Sequence, residues 1–331
     1  MIFLGGTDAL PDIGDIRAAA ERLAGIAVRT PLLESERLND RAGARVFLKC
    51  EMFQPVGAFK VRGAWNLIAQ IPDIDIGAGV VAYSSGNHAQ AVAWAARRRG
   101  TNATIVMPKD APDVKVEITR ALGAEVVLYD RNSEDREAIS ADISDRTGAV
   151  IVPPYDHTAV IAGQGAVGLE AMQQMEEIGA VPDTFLVPCS GGGLIAGCAI
   201  AVKDAAPHVN VLAAEPEHFD DTARSLAAGK RLANSPGSAS ICDALLVPTP
   251  GKLTFEIMRR TLSGGVAVTE DDVKAAVRAA YLDARVVVEP GGAVGLAAVL
   301  SGKLAGSAKN ICVVMSGGNI DRTLFADILT G

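Results

Sequence analysis

Phe185-Leu186-Val187-Pro188-Cys189-Ser190-Gly191-Gly192-Gly193-Leu194-Ile195-Ala196 packs an apolar strand, a small-residue loop and the start of a helix into one short stretch. Glycines in such a loop let the backbone approach a ligand closely and aim N–H groups at it. The helix that follows adds its own free N–H groups, so the loop is a natural phosphate cradle. The wider segment 184–202 carries no charge and is long enough to span a membrane. Pro188, Ser190 and the three glycines break it into two short halves, and a soluble strand–loop–helix accounts for them better.

The pattern recurs. Val80-Val81-Ala82-Tyr83 runs into Ser84-Ser85-Gly86-Asn87, and Cys312-Val313-Val314-Met315 runs into Ser316-Gly317-Gly318-Asn319. Loops at the carboxyl ends of parallel strands are where ligands bind. Three of them in one chain point to a shared small-molecule site.

Outward from these loops, short apolar runs alternate with helical spacing. Strands are predicted at 44–49, 79–83, 104–107, 125–129, 149–151, 184–188, 210–214 and 310–315. Helices are predicted at 61–71, 87–98, 114–122, 194–204 and 271–284. That rhythm reads as an α/β protein with parallel sheets and right-handed crossovers. No low-complexity linker divides the chain, and the Pro153-Pro154 pair is the best candidate for one crossing between halves.

Composition bounds the answer. At 331 residues the chain suits roughly two domains of ~150 residues. With 49% hydrophobic and 21% charged residues it is globular, which excludes a disordered tail, collagen or a coiled coil. Only eight Phe, four Tyr and two Trp leave the core to Ala, Val, Leu and Ile, which suits helices on a buried parallel sheet. The net charge is −8 and no basic block exceeds Arg97-Arg98-Arg99, so general nucleic-acid binding is not expected. Cys50, Cys189, Cys198, Cys242 and Cys312 form no C-x-x-C pair, which predicts reduced, mostly buried thiols and a cytoplasmic protein. The run Met1-Ile2-Phe3-Leu4-Gly5 has no basic segment, so no secretory signal is expected.

Two chemistries compete for the glycine loop. Gly191-Gly192-Gly193-Leu194-Ile195-Ala196 matches the G-x-G-x-x-A dinucleotide fingerprint, and Glu215 stands 24 residues after Gly191, near the place of a ribose-binding acid. An NAD-dependent oxidoreductase follows from that reading. The other lies upstream, in Glu51-Met52-Phe53-Gln54-Pro55-Val56-Gly57-Ala58-Phe59-Lys60-Val61-Arg62-Gly63-Ala64. Lys60 follows a Pro/Gly loop and an aromatic and opens an apolar-periodic helix. A desolvated lysine there has a depressed pKa and forms Schiff bases. A snorkelling surface lysine is the plainer alternative.

The segment from Gly57 to Ala64, the loop Ser84-Ser85-Gly86-Asn87-His88-Ala89-Gln90, the loop Ser190 to Gly193 and the closing Ser316-Gly317-Gly318-Asn319 resemble, in order, the fold-type-II pyridoxal-phosphate enzymes. Within that group the chain is similar to the threonine/serine dehydratase and serine racemase family. The resemblance implies two open twisted α/β domains with the cofactor in the cleft between them. It implies a discontinuous large domain of 1–76 and 159–331 and a small domain of 77–158. Lys60 would carry the cofactor as a Schiff base, with Phe59 against its ring. Asn87 would meet the ring hydroxyl, Ser190, Gly191, Gly192 and Gly193 the phosphate, and Ser316 the pyridine nitrogen.

The implied reaction is dehydration of a β-hydroxy amino acid to a 2-oxo acid and ammonia, with the freed Lys60 amine removing the Cα proton. Ser84, Ser85, Gly86 and His88 would bind the substrate carboxylate. His88 reads as a loop donor, and His157, His208 and His218 show no metal spacing. Dedicated threonine dehydratases of the family often have Ala at the place of Ser85, whereas racemases and hydroxyaspartate dehydratases have Ser. A hydroxyl there would serve racemisation as a proton donor or acceptor opposite Lys60, or would only bind carboxylate. Arg136 would reach a second substrate carboxylate, unless it is a surface arginine. Glu215, the Phe219 carbonyl and Asp221 match the spacing of a divalent-cation site in the racemase-like branch, suited to Mg²⁺ or Ca²⁺; a solvated acidic loop is the alternative.

Two departures stand out. Ser190 replaces the first of four glycines common in the phosphate loop, and Asp243-Ala244 stands where Asp-Gly is common. The last motif lies close to Gly331, so no C-terminal regulatory domain is expected, and a homodimer or homotetramer is expected by family analogy.

Overall fold

The computed structural model describes residues 9–304 and 308–331; the N-terminal run Met1 to Gly5 lies outside the described residues. The protein is mixed α/β with two sheets, as expected from the alternation of strands and helices. The strands are β1 Leu32–Glu34, β2 Arg45–Cys50, β3 Val80–Tyr83, β4 Ala103–Pro108, β5 Glu125–Tyr129, β6 Val150–Ile151, β7 Thr184–Pro188, β8 Asn210–Pro216, β9 Gly264–Val268 and β10 Asn310–Met315. A six-stranded sheet runs β1-β2-β10-β7-β8-β9 and a four-stranded sheet runs β5-β4-β3-β6. Every pairing is parallel except β1 with β2.

Both sheets carry helices on both faces, and the inner strands β10, β7, β3 and β4 are accordingly nearly continuous apolar runs. One face of the large sheet packs on the helices Glu270–Ala284 and Pro290–Leu300. The other packs on Thr158–Glu177 and Gly193–Ala205. The small sheet lies between Asn87–Arg99, which meets Lys60–Ile68, and Arg136–Thr147.

The uncharged stretch 184–202 resolves into β7, a loop and the first turns of Gly193–Ala205. Among the described residues no helix is long and apolar enough to cross a membrane. All five cysteines are buried and free.

Glycine sets how closely the central helices approach. A Cβ on Gly197 would overlap the Ile161 carbonyl, and one on Gly168 would press on the Cys198 backbone. Helices Thr158–Glu177 and Gly193–Ala205 therefore touch backbone to backbone. Beneath Lys60–Ile68 lies a buried ionic network. Arg62 donates to both oxygens of Glu51 at 2.8 Å and to both oxygens of Glu170 at 2.8 Å. Lys49 adds bonds to Glu170 and Gln174 at 2.9 Å. This clamp joins β2, the turn after it and two helices, two residues from Lys60.

Candidate active site

The three Ser/Gly loops converge on one cleft of about 320 Å³ between the two sheets. Phe59, Lys60, Ser84, Ser85, Gly86, Asn87, His88, Arg136, Ser190, Gly191, Gly192, Gly193 and Ser316 all line it. Glu215, Phe219 and Asp221 do not; Glu215 lies in β8, Asp221 opens the helix Asp221–Ala228, and Phe219 lies between them.

Lys60 stands at the first position of its helix. The loop before it is docked on the loop after β10: Phe59 N–H donates to the Ser316 carbonyl at 3.1 Å and Gly318 N–H to the Gly57 carbonyl at 2.9 Å. The Lys60 ammonium lies 5.1 Å from the Phe59 ring centroid and donates to the Pro154 carbonyl at 2.8 Å. No carboxylate pairs with it among the described residues, and burial lowers its pKa to about 8. A far larger neutral fraction is therefore present near physiological pH than an ordinary lysine has, though the ammonium still predominates.

Opposite, Gly192 sits at φ 93 as the N-cap of Gly193–Ala205. The first-turn N–H groups of that helix have no intrahelical partner. A Cβ on Gly191 would overlap the Tyr155 ring, and one on Gly192 would press on Thr254 and Met258. The loop is held as a bare backbone cradle that only glycine fits. Ser190, the departure from glycine, spends its hydroxyl as acceptor from Val247 N–H at 3.2 Å.

Asn87 begins the helix after β3. Its amide donates to Glu289 at 2.7 Å and accepts from Asn319 at 2.8 Å, which fixes how it faces the cleft. Sequence reasoning missed Glu289. It is buried, and burial with the nearby Asp243 charge raises its pKa to about 7. Its signal was available: it is the lone charge between Arg285 and Lys303.

His88 is buried and its Nε2 is 2.9 Å from the Val152 carbonyl. Since a carbonyl only accepts, Nε2 carries the proton and Nδ1 is left a buried acceptor without a partner. Burial and the Lys60 charge press its pKa to about 3, so the ring is neutral. Its imidazole is thus no donor toward the cleft; the main-chain N–H in the first helical turn is the donor that remains.

Arg136 lies 5.4 Å from the Tyr83 ring centroid, and no carboxylate pairs with it among the described residues. Lys115 and Asp243 pair at 2.6 Å, linking the helix Asp113–Ala121 beside the small sheet to the segment 243–245. The acid of the Asp243-Ala244 step is thereby engaged in the cleft rim.

The dinucleotide reading fails at Glu215. Its carboxylate is fully buried and accepts from Thr222 N–H at 3.0 Å and Ala223 N–H at 2.9 Å, so it offers nothing to a ribose. Residues 24–317 match the family of pyridoxal-phosphate dependent enzymes. The chain belongs to that family. It is 41% identical over 315 residues to a serine racemase of Oryza sativa subsp. indica, covering 94% of this chain and 91% of that one. It is 38% identical over 323 residues to an L-threo-3-hydroxyaspartate ammonia-lyase of Saccharomyces cerevisiae, with 97% of each covered. The solved T.th. threonine deaminase superposes with a TM-score of 0.88 at 40% identity, covering 94% of this chain and 99% of that one.

The cleft fits the cofactor that the family name specifies: a partly neutral amine on one side and an anion-binding glycine cradle on the other. The second group is chemically distinct. Glu215 and Asp221 are both fully buried, and one Asp221 oxygen has no hydrogen-bond partner among the described residues. Burial and their mutual repulsion raise Glu215 to about 8; burial raises Asp221 to about 6. Among the described residues no three His, Cys, Asp or Glu side chains group to hold a metal ion. The group offers two carboxylates and whatever main-chain carbonyls adjoin them.

Proposed function

We propose that this protein is a pyridoxal-phosphate dependent ammonia-lyase that converts a β-hydroxy amino acid such as L-threonine or L-serine to a 2-oxo acid and ammonia. The observation that carries it is the Lys60 amine, unpaired by any carboxylate among the described residues and lowered to about 8, facing a glycine cradle at a helix N-terminus. Lys60 would hold the cofactor covalently, Gly191 to Gly193 and Ser190 its phosphate, Asn87 its ring hydroxyl and Ser316 its ring nitrogen. When bound, the cofactor supplies an electron sink for the substrate's α-carbon.

The protein's own groups do the rest. N–H and hydroxyl groups from Ser84 to His88 hold the α-carboxylate, which sets the Cα–H bond toward Lys60. The Lys60 amine, freed once the substrate's amino group takes its place, would take that proton and return it to the β-hydroxyl, which leaves as water. Hydrolysis of the enamine that remains releases the 2-oxo acid and ammonia. Asn87, fixed by Glu289 and Asn319, would hold the cofactor's ring hydroxyl in place while this proton moves.

Two observations favour second readings within the same family. Ser85 places a hydroxyl in the cleft, which supports racemisation with Ser85 as the acid/base opposite Lys60. Arg136 has no carboxylate among the described residues, which supports hydroxyaspartate as substrate. Glu215, the Phe219 carbonyl and Asp221 form our candidate site for Mg²⁺ or Ca²⁺, since the unpartnered Asp221 oxygen is what an oxygen-loving cation would take. The segment 77–158 is our small domain and 1–76 with 159–331 our large one, supported by a four-stranded sheet drawn wholly from residues 80–151. We assign a homodimer or homotetramer by family analogy, and the cytoplasm on the five free, buried thiols.

The test is a panel of L-threonine, L-serine and L-threo-3-hydroxyaspartate with ammonia, 2-oxo acid and D-amino acid detection. Ammonia release by the wild type and none by Lys60→Ala is expected. Equal release by both would overturn the reading.

A further inference from the structure

We propose that Asn234 couples the Glu215/Asp221 carboxylate pair to the phosphate loop, so that a divalent cation at the pair strengthens retention of the cofactor. This rests on the cation site proposed above and concerns how it communicates.

Asn234 bridges the carboxylate pair and the segment beside the phosphate loop. Its Nδ2 donates to Asp221 Oδ1 at 2.7 Å and to the Val247 carbonyl at 3.2 Å. Its main-chain N–H donates to the Pro248 carbonyl at 2.8 Å, and its Oδ1 accepts from Arg224 at 2.6 Å. The side chain's donor and acceptor atoms are thus both committed. Val247 N–H in turn donates to the Ser190 hydroxyl at 3.2 Å, and Gly251 N–H to the Gly191 carbonyl at 3.1 Å. The strap 246–251 is therefore tied to the phosphate loop at two points and to Asp221 through a single amide. Leu246, Val247 and Pro248 also line the cleft.

A second route reaches the same place. Glu215 accepts from Thr222 N–H, and the Thr222 hydroxyl lies 3.2 Å from the Cys189 sulfur. Cys189 immediately precedes Ser190. Both carboxylates of the pair thus connect to residues 189–190.

The pair comprises two buried acids, one Asp221 oxygen having no hydrogen-bond partner among the described residues. A cation drawing on that oxygen fixes the Asp221 carboxylate, and Asn234 and the strap with it. Serine in place of the usual glycine gives the loop a hydroxyl that receives the strap, which a glycine cannot do. Coupling between sites is reciprocal, so the cofactor must tighten cation binding by the same factor.

The experiment uses holoenzyme and CaCl₂. Ca²⁺ binding is measured by calorimetry, and cofactor release by loss of the Schiff-base absorbance after dilution into cofactor-free buffer, with Ca²⁺ or with chelator. In the wild type, Ca²⁺ slows release by about fivefold or more. Asn234→Ala and Ser190→Gly still bind Ca²⁺, but the gap between their release rates with and without it shrinks, the Thr222–Cys189 route alone remaining. Ser190→Gly restores the common loop residue, so it stands if Asn234→Ala fails to fold. Full Ca²⁺ dependence in Ser190→Gly with Ca²⁺ bound, or wild-type Ca²⁺ binding that leaves release unchanged, overturns the coupling alone. Absence of Ca²⁺ binding by the wild type overturns the cation site and the coupling with it.

Discussion

The Asn87 amide and the Glu289 carboxylate meet at 2.7 Å across 202 residues of chain. Asn87 begins a helix beside the small sheet and Glu289 caps one beside the large sheet. One hydrogen bond thus spans the cleft and orients the residue assigned to the cofactor's ring hydroxyl. Glu289 is an acid whose pKa rises on folding to about 7. Such a group favours the folded state most below its unfolded value, and that contribution is lost as pH rises toward 7. Glu289→Gln keeps an acceptor for Asn87 and removes the titration. The wild-type melting temperature is expected to fall more than the variant's between pH 5 and pH 7.5, measured by thermal unfolding at matched ionic strength.

The lowered Lys60 pKa sets how fast the cofactor is captured. Only the neutral amine attacks an aldehyde, so its fraction rises with pH through about 8. Apoenzyme mixed with pyridoxal phosphate should form its Schiff base at a rate that levels off above pH 8 to 9. A rate still climbing steeply toward pH 10.5, the value of a free lysine, contradicts a desolvated amine.

Arg62 is buried with Glu51 and shares Glu170 with Lys49. Removing it leaves two acids short of their main partner in the interior. Arg62→Ala is expected to lower stability by about 3–5 kcal/mol, the usual cost of breaking a buried ion pair from one side. Chemical denaturation measures it; a loss below about 1 kcal/mol would show the network to be dispensable.

Arg285 ends the helix Glu270–Ala284 in the left-handed region at φ 59, where glycine is at ease. Its side chain is exposed. Arg285→Gly should therefore raise stability by about 0.5–1 kcal/mol, read from the urea midpoint at unchanged slope.

If Arg136 receives a second carboxylate, Arg136→Ala should raise KM for L-threo-3-hydroxyaspartate by roughly tenfold or more, the loss of about 1.4 kcal/mol or more. KM for L-serine should stay within about twofold. An equal rise for both substrates places Arg136 in general support of the cleft.

Much of this was legible in the sequence because it is local. β7, its glycine loop and the following helix lie in consecutive residues, and so does the loop that delivers Lys60. The helices Thr158–Glu177 and Pro290–Leu300 were not read, because they are buried nearly all round and carry several glycines, so no polar face marks a period. β9 was missed because Gly264-Gly265 weakens its strand signal. His88 reads as a loop donor from the sequence, but that its imidazole is turned to the Val152 carbonyl, 64 residues away, is set by the fold. Glu289 and Asn234 work through partners distant in the chain, and only the folded backbone brings those partners together.

Borohydride reduction of the holoenzyme, followed by tryptic digestion and mass spectrometry, locates the cofactor's covalent attachment. The reduced cofactor is predicted on the peptide 50–62, with cleavage after Lys60 blocked and no other lysine labelled. Recovery of the unlabelled peptide 50–60, cleaved after a free Lys60, or label on another lysine, contradicts the assignment of Lys60.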